Sequence, residues 1–317
     1  MARVAGIDCG TNTIRLLVAD VDDQGRLTDL ARRMEVVRLG QGVDRTGRLA
    51  PEALSRTLEA AHRYAEVCTE LGAERIRFVA TSATRDAENR DEFVAGVRSA
   101  LGVEPEVVSG AEEAALSFRG ATSVLAGRHP GPFLVVDIGG GSSEVVLGAD
   151  SVEASHSMDV GCVRLTERHL HDDPPTTAQV AAARADVVAA LDAAGRDVPF
   201  GRTATLVGLA GSVTTVTAHV LGLDRYDPAA IDGAVLAADD VLAAARDMWT
   251  LPRAQRAALG FMHPGRVDVI GAGALVWSEI VSRVRAEVAG AGGELDTVVI
   301  SEHDILDGIA LSAAERA

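Results

Sequence analysis

Cys9 and Arg15 enclose five residues in the stretch GIDCGTNTIRLLVAD (6–20). That spacing suits a thiolate that attacks phosphorus while a guanidinium clamps the phosphoryl oxygens. The chemistry needs a loop running from a strand into a helix, because the helix N-terminus lowers the thiol pKa and faces the anion. Here the loop leads into IRLLVAD, an apolar run that reads as a second strand. An internal repeat sharpens the point. With Asp8 set over Asp137 in VDIGGGSSEVVLGAD (136–150), Gly10 falls on Gly139 and Thr13 on Ser142, while Cys9 falls on Ile138 and Arg15 on Glu144. The repeat keeps the aspartate, the glycine and a hydroxyl, and drops the thiol. Cys9 is therefore expected to pack at a strand end.

What both hairpins retain suits a polyphosphate. Glycines let backbone N–H groups turn inward to form an anion nest, and Thr11, Thr13, Ser142 and Ser143 add hydroxyl donors. The strand-end aspartates can hold a divalent cation directly or through water.

The elements that must position these groups also occur twice. Each hairpin is followed by a further strand candidate, RRMEVVRL (32–39) and SVEASHSM (151–158). Alanine-rich amphipathic stretches come next, at 51–71 and 177–194, with Pro51 suited to a first helical turn. IRFVATSAT (76–84) and ATLVGLAGSVTTV (204–216) then read as buried strands with polar tips. The pattern is α/β in both halves. The turn GRHPGP (127–132) separates a domain over 1–126 from one over 127–302, and a C-terminal helix from about 303 to 317 is expected to pack back on the first.

Composition narrows the chemistry. All 30 basic residues are arginines, which removes the Walker P-loop, the protein-kinase lysine and Schiff-base mechanisms. A net charge of −16 argues against sequence-independent binding to nucleic acid or an anionic membrane, although a few arginines can still set a positive local potential. No apolar run reaches the roughly 18 residues that a membrane span needs. Three scattered cysteines offer no disulfide framework, and the N-terminus enters a strand with no signal peptide, so a cytoplasmic protein is expected.

The paired Asp-x-Gly hairpins resemble the actin-like, ribonuclease H-like ATPase superfamily. That resemblance implies two ribonuclease H-like α/β domains with an interdomain cleft that grips phosphates. Within it, several strings in order resemble the exopolyphosphatase/guanosine pentaphosphate phosphatase (Ppx/GppA) family in a short two-domain form. They are DCGTNTIRLLV (8–18), VATSATRDAENRDEF (79–93), VVSGAEEA (107–114), VVDIGGGSSEVVLG (135–148), DVGCVRLTERHLHDDPP (159–175), GLAGSVTTVTA (208–218) and GRVDVIGAG (265–273).

The resemblance implies roles. Asn12, with the backbone at Thr11 and Thr13, would bind phosphate, and Arg85 would reach the terminal phosphoryl group. Glu113 would be the general base, with Glu112 as the alternative. Gly139, Gly140, Gly141, Ser142 and Ser143 would form a second phosphate loop. Gly211 and Ser212 would add another, and Arg266 a distal contact. Asp8, Asp137 and Glu144 would hold Mg²⁺ or Mn²⁺, with Glu144 also orienting the attacking water. The implied reaction is metal-dependent release of orthophosphate from the end of inorganic polyphosphate, with short chains favoured. Guanosine pentaphosphate (pppGpp) is the alternative substrate, in a stringent-response setting. A non-catalytic binder of either, and an ATP-dependent kinase or chaperone-type ATPase of the same superfamily, are the rival readings. A homodimer is compatible with the sequence. Longer members append a metal-dependent HD-type region, and His171-Asp172 and His303-Asp304 are not expected to substitute for it. Asp159 stands where some relatives carry an arginine.

Overall fold

The computed structural model describes residues 2–315. They form two compact units, one from 2–123 together with 304–315, the other from Val124–His303.

In the first unit, β1 (Ala2–Cys9), β2 (Thr13–Val21), β3 (Leu27–Val36), β4 (Arg75–Ala80) and β5 (Glu106–Val107) make one sheet in the order β3-β2-β1-β4-β5. β1 and β2 are the antiparallel arms of the first hairpin, and β4 lies parallel to β1. Side chains alternate across a pleated sheet, so both faces can be read along the strands. Ala5, Ile7 and Cys9 of β1 and Ile14, Leu16 and Val18 of β2 join a core with Tyr64, Phe78 and Phe93. Tyr64 comes from the helix Pro51–Glu70 and Phe93 from Arg90–Leu101, and Phe93 meets Phe78 edge to face at 6.0 Å. Val4, Leu17 and Ala19 face the other way, onto Leu306, Ala310 and Leu311 of the C-terminal helix Ile305–Glu315. Asp8 and Arg15 share the parity of that second face.

The C-terminal helix also meets the helix Gly110–Leu125 at backbone distance. A Cβ on Gly308 would stand 2.0 Å from the Leu116 carbonyl oxygen, and one on Gly120 would stand 1.8 Å from that of Asp304. Only glycine permits this approach.

The second unit repeats the plan. β6 (Phe133–Ile138), β7 (Ser143–Gly148), β8 (Val152–Met158), β9 (Thr205–Leu209), β10 (Val235–Ala237) and β11 (Thr297–Ile300) run β10-β11-β9-β6-β7-β8. Read from β8 inward, the first five positions follow the same order as the first sheet, and β10 adds an antiparallel edge strand beside β11. The core packs the fully buried Trp277 and its neighbours on the helix Ile270–Gly290 against Thr177–Asp197, Ala238–Thr250 and the sheet. The chain is thus two ribonuclease H-like α/β units.

Two sequence expectations change. The run 204–216 is not one strand: β9 stops at Leu209, Ala210 takes a left-handed φ of 67°, and Ala210–Val220 is a helix. An unbroken apolar run of this kind fits a buried strand or a buried helix equally well. The strand expected at 32–39 is β3, which begins at Leu27 and ends at Val36, where the Val37 N–H turns to the Asn12 carbonyl. Among the described residues no helix is long and apolar enough to cross a membrane.

The contact at Gly308 is testable. Gly308→Ala forces backbone apart and is expected to cost about 1–3 kcal/mol in urea unfolding; an unchanged midpoint contradicts the packing.

Candidate active site

The turn of the first hairpin is held by its own backbone and by the segment after β3. Gly10 N–H donates to the Thr13 carbonyl at 2.9 Å. The Asn12 carbonyl accepts from Val37 and Arg38, and the Thr11 carbonyl accepts from Gly40 at 2.8 Å. Thr11 Oγ1 lies 3.2 Å from Ser82 Oγ, which brings the turn beside the short helix Ser82–Arg85 at the end of β4. Asn12 Oδ1 is buried with no hydrogen-bond partner among the described residues.

Cys9 and Arg15 do not work together. Cys9 is 1 % exposed in the core face of β1, while Arg15 is on the opposite face. Burial, and then the Asp8 charge, push the Cys9 thiol well above its ordinary pKa, the reverse of what a nucleophile needs. Arg15 donates from Nε (2.9 Å) and Nη2 (2.7 Å) to Asp8 Oδ2, and from Nη1 to Asp304. Burial raises the Asp8 carboxyl pKa, and Arg15 opposes that rise. Asp8, expected to hold a cation, accepts from a guanidinium of the same chain.

The helix Gly110–Leu125 separates two adjacent carboxylates, because successive helical residues point about 100° apart. Glu112 accepts from Arg77 Nη2 at 2.6 Å, in a cluster that includes Glu106. Glu113 is 8 % exposed and accepts from Arg85 Nη1 at 3.1 Å. The same nitrogen donates to the Val108 carbonyl, fixing the guanidinium at the end of Ser82–Arg85. One glutamate belongs to a structural cluster. The other stands buried beside an arginine, within the unit that carries the hydroxyl-rich turn.

The second hairpin repeats the turn bond, Gly139 N–H to the Ser142 carbonyl at 3.0 Å. The carbonyls of Gly139 and Gly140 accept from Cys162, Val163 and Arg164 at the start of the helix Cys162–His169. Arg164 Nε takes the Gly141 carbonyl at 2.7 Å. Gly161 makes the approach possible, since a Cβ there would meet Gly140 at 2.5 Å. Three successive carbonyls are consumed in this way. The N–H groups of Gly140, Gly141 and Ser142 have no backbone partner among the described residues, which is the arrangement of an anion nest. Arg164 and Ser82 were not singled out by sequence; each lies inside a recognisable string, but spacing gives no sign of what it touches.

Other expected site residues fall differently. Ser143 spends its proton on the Val160 carbonyl at 2.6 Å and is a brace for the loop. Gly211 and Ser212 lie in the first turn of the helix Ala210–Val220 instead of a loop, with Arg266 Nη1 3.4 Å from the Gly211 carbonyl. Asp137 and Glu144 are direct cross-strand neighbours on β6 and β7, both buried, and Glu144 accepts from Ser157 Oγ at 2.7 Å. Among the described residues, no group of three or more His, Cys, Asp or Glu is arranged to hold a metal ion. His169 ends the helix Cys162–His169 and pairs with Asp186 through Nε2 at 2.7 Å.

Comparison with known proteins identifies a family. Residues 17–290 match the Ppx/GppA phosphatase family. The chain belongs to that family. It is 52 % identical to Exopolyphosphatase 2 of Mycobacterium tuberculosis, over 99 % of both chains. A crystal structure of an exopolyphosphatase-like protein superposes with a TM-score of 0.95 at 47 % identity, covering 99 % of each chain. A guanosine-5'-triphosphate,3'-diphosphate pyrophosphatase of Vibrio atlanticus is 35 % identical across 65 % of this chain and 42 % of its own length.

The thiols give a direct check on the site. Cys9, Cys68 and Cys162 are all buried, and burial raises each pKa, that of Cys68 to about 11. At pH 8 all three are expected to stay protonated and unreactive toward an aromatic disulfide reagent until the protein is unfolded. A fast-reacting thiol in the native protein would reopen the nucleophile reading of Cys9.

Proposed function

We propose that the protein is an exopolyphosphatase, hydrolysing the terminal phosphoanhydride of inorganic polyphosphate to release orthophosphate. The observation that carries this reading is the buried Glu113–Arg85 pair, in a chain that aligns end to end with Exopolyphosphatase 2 at 52 % identity.

Phosphoanhydride cleavage passes through a loose transition state, so positioning and charge stabilisation do most of the work. Glu113 takes the proton of the attacking water. Arg85, fixed by the Val108 carbonyl, meets the terminal phosphoryl oxygens. Within the first unit the turn after Gly10 lends its N–H groups to the anion, and the Asn12 side-chain amide can donate to it from Nδ2. In the second unit, Arg164 holds the Gly141 carbonyl and leaves the N–H groups of that loop for an anion.

A divalent cation fits the second unit better than the first. The register that gives Asp8 an arginine gives Asp137 a glutamate, and two buried carboxylates set opposite each other suit a hard cation. Asp137 and Glu144 would hold Mg²⁺ or Mn²⁺, which would neutralise phosphate charge.

Hydrolysis of pppGpp is the second reading, favoured by the partial match to the Vibrio enzyme. The test is orthophosphate release, with Mg²⁺, from short and long polyphosphate, pppGpp and ATP. Release from polyphosphate is expected. Glu113→Gln should lower kcat about 10²–10⁴-fold with little change in KM. Glu112→Gln, which loosens only the Arg77 cluster, should stay within about threefold of wild type. Release from pppGpp alone selects the second reading, binding without release means a sensor, and a larger loss for Glu112→Gln reverses the assignment of the base.

A further inference from the structure

The turn after Gly10 and the helix bearing Glu113 are separate elements of the first unit, and both converge on a residue that the proposed chemistry does not use. Asp304 precedes the C-terminal helix and is 4 % exposed. Its Oδ1 accepts from the Leu306 N–H at 3.0 Å, and its Oδ2 accepts from Arg15 Nη1. Arg15 also donates to Asp8, from Nε and Nη2. Asp8 lies two residues before Gly10 and Arg15 two after Thr13, so the arginine fork grips both arms at the root of the turn. The Asp304 backbone meanwhile abuts Gly120, and Gly308 abuts Leu116, both on the helix that carries Glu113. Asp307 extends the anchorage by accepting from Arg32 of β3 at 2.7 Å.

We propose that Asp304 is a positioning residue for hydrolysis. Through Arg15 it locks the root of the phosphate-binding turn to the segment that seats the Glu113 helix, so that turn and base keep one geometry. This rests on the reading of Glu113 as the base and of the turn as a phosphate site. The trio carries two carboxylates and one guanidinium, so neutralising Asp304 strands no buried cation: Arg15 keeps Asp8. Asparagine can also retain the cap on Leu306. The substitution therefore removes the link while leaving the surrounding bonds in place, and a displacement of about 1 Å at a reacting centre can cost on the order of 10²-fold in rate.

The experiment compares orthophosphate release and melting for wild type, Asp304→Asn, Arg15→Lys, the double variant and Arg119→Gln. The last breaks the Arg119–Glu315 pair between the same two helices, away from the turn. Asp304→Asn is expected to lose about 10–100-fold in kcat, with KM within about threefold of wild type and a melting temperature lowered by only a few degrees. Arg15→Lys keeps the charge without the fork and should lose as much. The double variant should lose no more than either single one, because both break the same link. Arg119→Gln should match wild type. Wild-type kcat in Asp304→Asn overturns the proposal, as does an equal loss in Arg119→Gln, additive losses in the double variant, or failure of both single variants to fold. A wild type that hydrolyses neither polyphosphate nor pppGpp overturns the functional reading and this one with it; active wild type with active Asp304→Asn overturns this one alone.

Discussion

A carboxylate buried at the end of a central strand needs a partner, because desolvation disfavours its charge. Both sheets carry one, Asp8 on β1 and Asp137 on β6, at the same place in the repeated hairpin. Cross-strand register then decides what each faces. In the first unit the facing residue is Arg15, so the carboxylate becomes part of an internal ion network reaching the C-terminal helix. In the second it is Glu144, which accepts from Ser157 Oγ, so the two strand-end aspartates face side chains of opposite charge. One difference within a duplicated plan thus gives the two aspartates different surroundings.

The electrostatics of phosphate binding follow the same local logic. The chain carries a net charge of −16, yet the groups that would receive an anion are backbone N–H groups and arginines fixed at element ends. In the second hairpin the N–H groups are turned outward because the opposite faces of their peptides are occupied by the helix Cys162–His169 and by Arg164. Donors held in advance need little reorganisation when charge develops, which is where they are most effective.

Much of this is legible in the sequence. Aligning Asp8 with Asp137 exposes the duplication, and the sheets repeat the same strand order because the same apolar pattern meets the same turn chemistry. The dismissal of Cys9 is legible too, since the loop leads into an apolar strand and the repeat puts Ile138 in place of the thiol. Other features depend on three-dimensional neighbours. Glu112 and Glu113 are equivalent in composition and separated only by helical rotation against Arg77 and Arg85. Ser143 reads as a phosphate donor until Val160 is seen to take its proton. Asp304, far from the hairpins in sequence, meets Arg15 only through the packing of the last helix across β1.

The division of labour between the two strand-end aspartates is tested most directly by Mn²⁺ binding, followed by the loss of the free-ion paramagnetic resonance signal, in wild type, Asp8→Asn and Asp137→Asn. Binding retained in Asp8→Asn and lost in Asp137→Asn is the expected result. Binding lost in Asp8→Asn and retained in Asp137→Asn would contradict it, and would return the cation to the hairpin that the arginine occupies.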